Sequence, residues 1–205
     1  MLVNESRYQQ DLDQALRFLE IGGVVVIPTD TLFGLAADVF SEPGVQRIFE
    51  IKGRPPGLAL PVLVADWDQL EMVVHPLPDV GLSLARQFWP GPLTLVMPKS
   101  SRVPGPVTAG RPTVAVRMPD HCVPLELARR LGNPITGTSA NPTGQGDPAT
   151  LADVERQLGG LVDYIVRGGS APGGKASTIV DVSSGAPNLV REGAIPFDDV
   201  LRVGT

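Results

Sequence analysis

The stretch GGVVVIPTDTLFGLAADVFSEPGVQRIFEIKGRP, residues 22–55, decides the fold. Its β-branched run Val24-Val25-Val26-Ile27 has the composition of a buried strand, and Pro28 stops it. A hydroxyl-rich turn follows, Thr29-Asp30-Thr31, and then Gly34. Ser41 is placed to cap a helix, Pro43 suits its first turn, and Val45, Ile48 and Phe49 form its apolar stripe. Lys52 leaves the end of that helix on the packed side, Gly53 reads as its C-cap, and Arg54 follows before Pro55-Pro56. Two cations delivered by a rigid element beside a hydroxyl-lined turn form an anion pocket. The same two cations also complement a helix C-terminus, and spacing alone favours that second reading.

Outward from this stretch the chain alternates helices and strands. Leu12, Ala15, Leu16 and Leu19 recur at helical spacing before Gly22-Gly23, with Ser6 and Gln9 at capping-box spacing. Strands are expected at 60–64, 93–97, 113–117, 134–138, 161–166, 177–182 and 188–191. Helices are expected at 66–73, 80–88, 124–131, from the Thr150/Asp153 capping box to Leu158, and at 197–203. The Pro/Gly-rich segment 103–112 reads as a loop. There is no composition break and no internal repeat, so one α/β domain over residues 1–205 is expected, with a twisted mixed sheet, flanking helices and a concave pocket at strand ends.

The chain has 205 residues, 42% apolar and 19% charged, with 23 Gly and 21 Pro. Its mean hydropathy is +0.10. These values describe a globular protein with a sizeable core and many tight turns. A net charge of −5 argues against a protein whose main task is gripping a nucleic-acid backbone. One cysteine, Cys122, excludes an internal disulfide, and His75 and His121 match no zinc spacing. The N-terminus has no signal-peptide pattern and no apolar run reaches a membrane span, so a cytoplasmic protein is expected.

Polar residues recur at strand ends: Arg117, Ser139 and Asn141, Ser177 and Thr178, and Arg191. In α/β sheets ligands gather there. Gly169 to Lys175 fits GxxxxGK, but Ala176 stands where a P-loop needs Ser or Thr, and a strand follows where a helix should begin. That segment reads instead as a glycine loop able to act as a lid. No GxSxG or HExxH is present, so hydroxyls, amides and fixed cations without a nucleophile suit phosphoryl or nucleotidyl transfer.

PTDTLFGLAAD, KGRPP, FWPGPLTLVM, TVAVRMP, TGTSANPTG, STIVDV and VREGAI resemble, in the same order, the motifs of the YrdC-like family of threonylcarbamoyl-adenylate synthases. The match runs from Gly22 to Ile195. The resemblance implies the family's fold in a short, single-domain form. It also implies conversion of L-threonine, bicarbonate and ATP, with Mg²⁺, to threonylcarbamoyl-adenylate and pyrophosphate for the tRNA threonylcarbamoyl transferase machinery. By the same resemblance, Thr31, Arg117 and Ser177 hold threonine. Lys52 and Arg54 hold phosphates and carbamate as catalytic residues, Ser139 and Asn141 hold phosphate oxygens, and Thr113 and Arg191 lie along the nucleotide. Phe33 stands for a frequent Tyr, and Leu58, Ala59 and Leu63 stand where the family often has Asn-Pro-Leu and a His. A double-stranded RNA or tRNA binder and a paralogue with another carbamoyl or nucleotide reaction are the rival readings. The acidic charge weighs against the first, and the KGR and SAN motifs against the second.

Overall fold

The computed structural model describes residues 2–53, 57–169 and 173–204. The β-branched run forms strand β1 (Val25–Ile27), fully buried on both faces. Val25 and Ile27 pack with Leu12, Ala15 and Leu19 of helix α1 (Leu2–Glu20), while Val24 and Val26 join the larger core cluster with Val45 and Ile48. Burial on two sides is why this strand is a continuous apolar run rather than an alternating one. Helix α1 begins at Leu2, earlier than the Ser6/Gln9 spacing suggests.

After the Thr29–Phe33 turn comes strand β2 (Gly34–Ala36), antiparallel to β1 and not foreseen from the sequence. Helix α2 (Glu42–Lys52) follows as read: Ser41 Oγ accepts from Gly44 N at 3.3 Å, and Gly53 closes it with a left-handed φ of 54°. Then come β3 (Val62–Leu63), α3 (Trp67–Val73), α4 (Asp79–Phe88) and β4 (Leu93–Pro98). The expected loop 103–112 contains one helical turn, α5 (Gly105–Thr108), ended by Ala109 and Gly110, both left-handed. Next are β5 (Thr113–Arg117), α6 (Cys122–Leu131), β6 (Ile135–Thr136) and β7 (Thr138–Ser139). Helix α7 (Leu151–Leu158) carries the expected Thr150/Asp153 capping box, and β8 (Tyr164–Ile165), β9 (Thr178–Asp181), β10 (Asn188–Arg191) and α8 (Phe197–Leu201) complete the chain.

The strands form two twisted mixed sheets rather than one. The smaller has the order β7-β2-β1-β8, the larger β10-β9-β4-β5-β3-β6. One nearly continuous stretch pairs in both: β6 pairs with β3 in the large sheet, and after Gly137 the chain continues as β7 on β2 in the small one. Thr136 locks the crossing. Its Oγ1 accepts from Ala37 N at 3.0 Å and donates to Leu35 O at 3.2 Å. Among the described residues no helix is long and apolar enough to cross a membrane.

Thr178, fully buried at the start of β9, anchors the return from β10. Its Oγ1 accepts from Gly193 N at 2.9 Å and Ile195 N at 3.0 Å, and donates to Ile195 O at 2.5 Å. Thr178→Val keeps the shape and strands these groups without a partner. It is expected to cost about 2–4 kcal/mol, read as a lower denaturant midpoint at unchanged m-value.

Candidate functional site

Where the two sheets part, a cleft of about 440 Å³ opens over the face of the large sheet. Sheet register explains what meets there. Leu95 pairs with Val116 and Leu93 with Thr178, so Arg117, Thr94 and Ser177 lie at one end of three adjacent strands. Antiparallel β10 brings Arg191 to that end. Thr31, past the end of β1, and Ser139, at the end of β7, complete the set. Five of the nine residues picked out from the sequence, Thr31, Arg117, Ser139, Ser177 and Arg191, therefore line one cleft.

The Thr29–Thr31 turn is held by its own hydroxyls. Thr29 Oγ1 accepts from the Thr31 and Leu32 amides at 3.1 and 3.2 Å and donates to Leu32 O at 2.7 Å. That spends its proton, so in the 3.0 Å contact between the two hydroxyls Thr31 must donate. Thr31 Oγ1 then keeps its lone pairs for a donor arriving in the cleft.

Arg117 is the buried charge of the site, with 6% of its side chain exposed. Its Nη1 donates to Asp30 Oδ1 at 2.7 Å, and its Nη2 reaches Thr29 Oγ1 at 3.5 Å. Burial pulls the guanidinium pKa below its ordinary value, the Asp30 carboxylate raises it back, and the nearby Arg191 charge lowers it. Asp30 Oδ2 is buried without a hydrogen-bond partner. Asp30 carried no assignment in the sequence reading, because only the fold brings it to Arg117. Arg191 Nη2 donates to Ser177 O at 2.9 Å, and Ser177 Oγ lies 2.8 Å from Thr94 Oγ1.

Lys52, expected to hold phosphates and carbamate, is engaged with the 139–141 turn. It is buried, and its Nζ donates to Ser139 O at 2.6 Å, Asn141 O at 2.7 Å and Asn141 Oδ1 at 3.2 Å. These acceptors tie the ammonium to the 139–141 turn, and Lys52 is not among the cleft's lining residues. Asn141 is equally committed: Oδ1 accepts from Ser139 Oγ at 2.7 Å, and Nδ2 donates to Gln145 O at 2.5 Å. Lys52 and Asn141 thus hold Ser139 in place from behind. Thr113 starts β5 on the same face as Ala115 and Arg117, between the lining residues Arg111 and Ala115, and is not itself among the cleft's lining residues. Arg54 lies outside the described residues.

The far wall is apolar: Leu58, Ala59, Pro61 and Leu63, with Phe33 on the turn side. Leu63 fills the space above Gly137 so closely that a Cβ there would sit 2.5 Å from Leu63 Cγ. The cleft also takes in two charged residues not singled out from the sequence, Arg111 and Asp147. Both sit in Gly/Pro-rich connections, where spacing carries no signal.

The GxxxxGK lookalike has another task. Gly173 N donates to Asp30 O at 3.3 Å and Gly174 N to Thr31 O at 2.8 Å, so these amides brace the threonine turn rather than facing a phosphate. Residues 170–172 of that loop lie outside the described residues. At the loop's start, Asp11 Oδ2 accepts from Arg167 N and Gly168 N at 2.7 and 2.6 Å, and its Oδ1 accepts from Tyr164 OH at 2.7 Å. Burial, with Asp11 second, pushes the Tyr164 pKa up to about 12, which keeps the phenol a donor.

Comparison with known proteins agrees with this arrangement. The Sua5/YciO/YrdC family model, described as "Telomere recombination", matches residues 17–193. The threonylcarbamoyl-AMP synthase of Bacillus subtilis is 40% identical over 93% of this chain and 55% of that protein. The Pyrococcus abyssi threonylcarbamoyl-AMP synthase is 40% identical over 92% of this chain and 56% of its own length. The P. abyssi Sua5 structure complexed with L-threonine superposes with a TM-score of 0.90, covering 94% of this chain and 56% of that one. Escherichia coli YciO follows at 0.84, with 26% identity and 94% of both chains covered. The chain spans about half the length of the first two of these relatives. It belongs to the Sua5/YciO/YrdC family.

Proposed function

We propose that this chain forms L-threonylcarbamoyl-adenylate and pyrophosphate from L-threonine, bicarbonate and ATP. The observation that carries the reading is the buried Arg117–Asp30 pair beside Thr31 and Ser177, in a cleft shared with Ser139 and Arg191. The name carried by the B. subtilis and P. abyssi relatives, and the L-threonine in the P. abyssi complex, support it.

In this reading Arg117 meets the threonine carboxylate with its planar fork, and Thr31 and Ser177 read the side-chain hydroxyl. The threonine amine and carbon dioxide, released from bicarbonate, give a carbamate anion and a proton. One carbamate oxygen attacks the α-phosphorus of ATP, and the bond to the bridging oxygen of pyrophosphate breaks. No protein nucleophile is required. The protein orders two anions and screens their repulsion with Arg191 and Arg54, while Lys52 and Asn141 hold Ser139 toward the phosphates.

Among the described residues no cluster of three His, Cys, Asp or Glu could hold a metal by itself. Among the described residues Asp147 is the one carboxylate lining the cleft, which fits a Mg²⁺ carried in by the triphosphate. When bound, that ion neutralises phosphate charge. The product's use in tRNA threonylcarbamoylation and a cytoplasmic location complete the proposal. Incubation with ATP, L-threonine and bicarbonate, followed by mass spectrometry, tests it: the adenylate and equimolar pyrophosphate are expected, and absence of both refutes it.

Three substitutive tests address the parts. L-Valine lacks only the hydroxyl, and leaving polar groups in the pocket unpaired costs about 1–3 kcal/mol. Pyrophosphate release at equal concentration should therefore be far slower with valine than with threonine; equal rates would remove Thr31 and Ser177 from their roles. Arg117→Lys loses the fork and should lower kcat/KM for threonine roughly 30–1000-fold. Lys52→Met leaves the Ser139 and Asn141 acceptors buried and unpaired. It should cost about 2–4 kcal/mol in thermal or chemical unfolding as well as activity, whereas a purely phosphate-binding lysine would leave stability unchanged.

A further inference from the structure

We infer that Arg111, with Leu58, forms the end of the cleft that takes the purine ring of the nucleotide; this rests on the adenylate-forming reading above. Arg111 lines the cleft, is exposed, and makes no side-chain hydrogen bond or ion pair with the described residues. The other two arginines of the cleft are committed, Arg117 to Asp30 and Arg191 to Ser177.

Its backbone, by contrast, is fixed from both sides. Arg111 N donates to Thr108 O at 3.1 Å, and Pro112 O accepts from Lys99 N at 2.9 Å. The turn that delivers it contains Ala109 at φ 51°, the one non-glycine residue with positive φ among the described residues. Left-handed alanine is unfavourable, and such strain concentrates where a side chain must be held for a ligand.

Position along the sheet decides which part of the ligand Arg111 meets. Arg117 ends β5 at the amino-acid end, and Arg111 stands two residues before the strand's other end, about 20 Å away at strand rise. Strand β3 is parallel to β5, with Val62 on Val116 and Leu63 on Arg117, and Leu60 N donates to Val107 O at 2.8 Å. Leu58, two residues before Leu60, lines the same cleft as Arg111. Leu58 is 43% exposed, an apolar side chain in water at the rim of a polar cleft. Between them the floor is Ala115 and Val96, both small enough to let a flat ring lie on the sheet. An unpaired planar guanidinium over an apolar floor suits a purine face. The phosphate-facing groups, around Ser139, lie across β3 on the side of Gly137, whose N donates to Pro61 O at 2.8 Å.

Calorimetric titration of the whole chain with ATP and, separately, with inorganic tripolyphosphate tests this. Arg111→Ala and Arg111→Lys should both weaken ATP binding, roughly 3–30-fold, because lysine keeps the charge and loses the plane. Tripolyphosphate binding and the melting temperature should stay at wild-type values. If Arg111→Lys binds ATP as wild type does, or if tripolyphosphate binding falls with ATP binding, Arg111 is a phosphate contact and the inference is overturned. Unchanged ATP affinity in both variants overturns it as well. Binding of ATP alone is read here, so failure of the wild-type protein to release pyrophosphate would count against the proposed reaction and not against this slot.

Discussion

The burial of one positive charge organises the centre of this molecule. Arg117 lies at the end of a strand in the large sheet, and a guanidinium removed from water needs a counter-charge close by. Asp30 supplies it from the turn after β1, in the small sheet. The ion pair is therefore a tie between the two sheets at the place where they separate. Removing either partner would leave the other buried and unpaired, a loss on the order of 3–5 kcal/mol. The same turn carries the rest of the assembly. Its carbonyls at Asp30 and Thr31 take the amides of Gly173 and Gly174, and its hydroxyls order themselves so that Thr31 faces the cleft as an acceptor.

A second constraint acts from the opposite side. The segment that leaves the large sheet through Gly137 and enters the small one must turn at once into the Ser139–Asn141 loop. Lys52 makes that turn possible by pairing with its carbonyls, while Thr143 N donates to Lys52 O at 2.8 Å. A lysine at a helix end thus ties that helix to the 139–141 turn. Leu63 depends on the same crossing, since only a glycine at 137 leaves room for its isobutyl group.

Legibility from the sequence followed the range of the interactions. Helix α2 with its Ser41 cap and Gly53 stop, the Thr150/Asp153 capping box and the run of β1 are set by neighbours within four residues, and they could be read directly. Strand β2 could not: three residues with a leading glycine have no periodicity, and β2 exists because β1 and β7 flank it. The division into two sheets depends on Gly137 and Thr136, which in sequence look like any strand interior. Within the cleft, the strand-end residues were found because alternating α/β order puts ligands there. Asp30 and Arg111 escaped because one is defined only by a partner 87 positions away and the other stands in a connection of glycine and proline.

Charge distribution links the fold to the kind of ligand it admits. The chain as a whole carries −5, yet Arg111, Arg117 and Arg191 face one cleft whose lining has Asp147 as its carboxylate. A cationic recess in an acidic body concentrates field lines inward, because the low-dielectric walls confine them while solvent and salt screen the outer surface. Such a field favours a polyanion in the cleft. Asp30 then grades the recess: it offsets Arg117 at the end that Arg191 shares, while Arg111, six residues before Arg117, has no carboxylate partner among the described residues. The charge of the recess is therefore set by residues on β5, β10 and the turn after β1, with Arg111 ahead of β5.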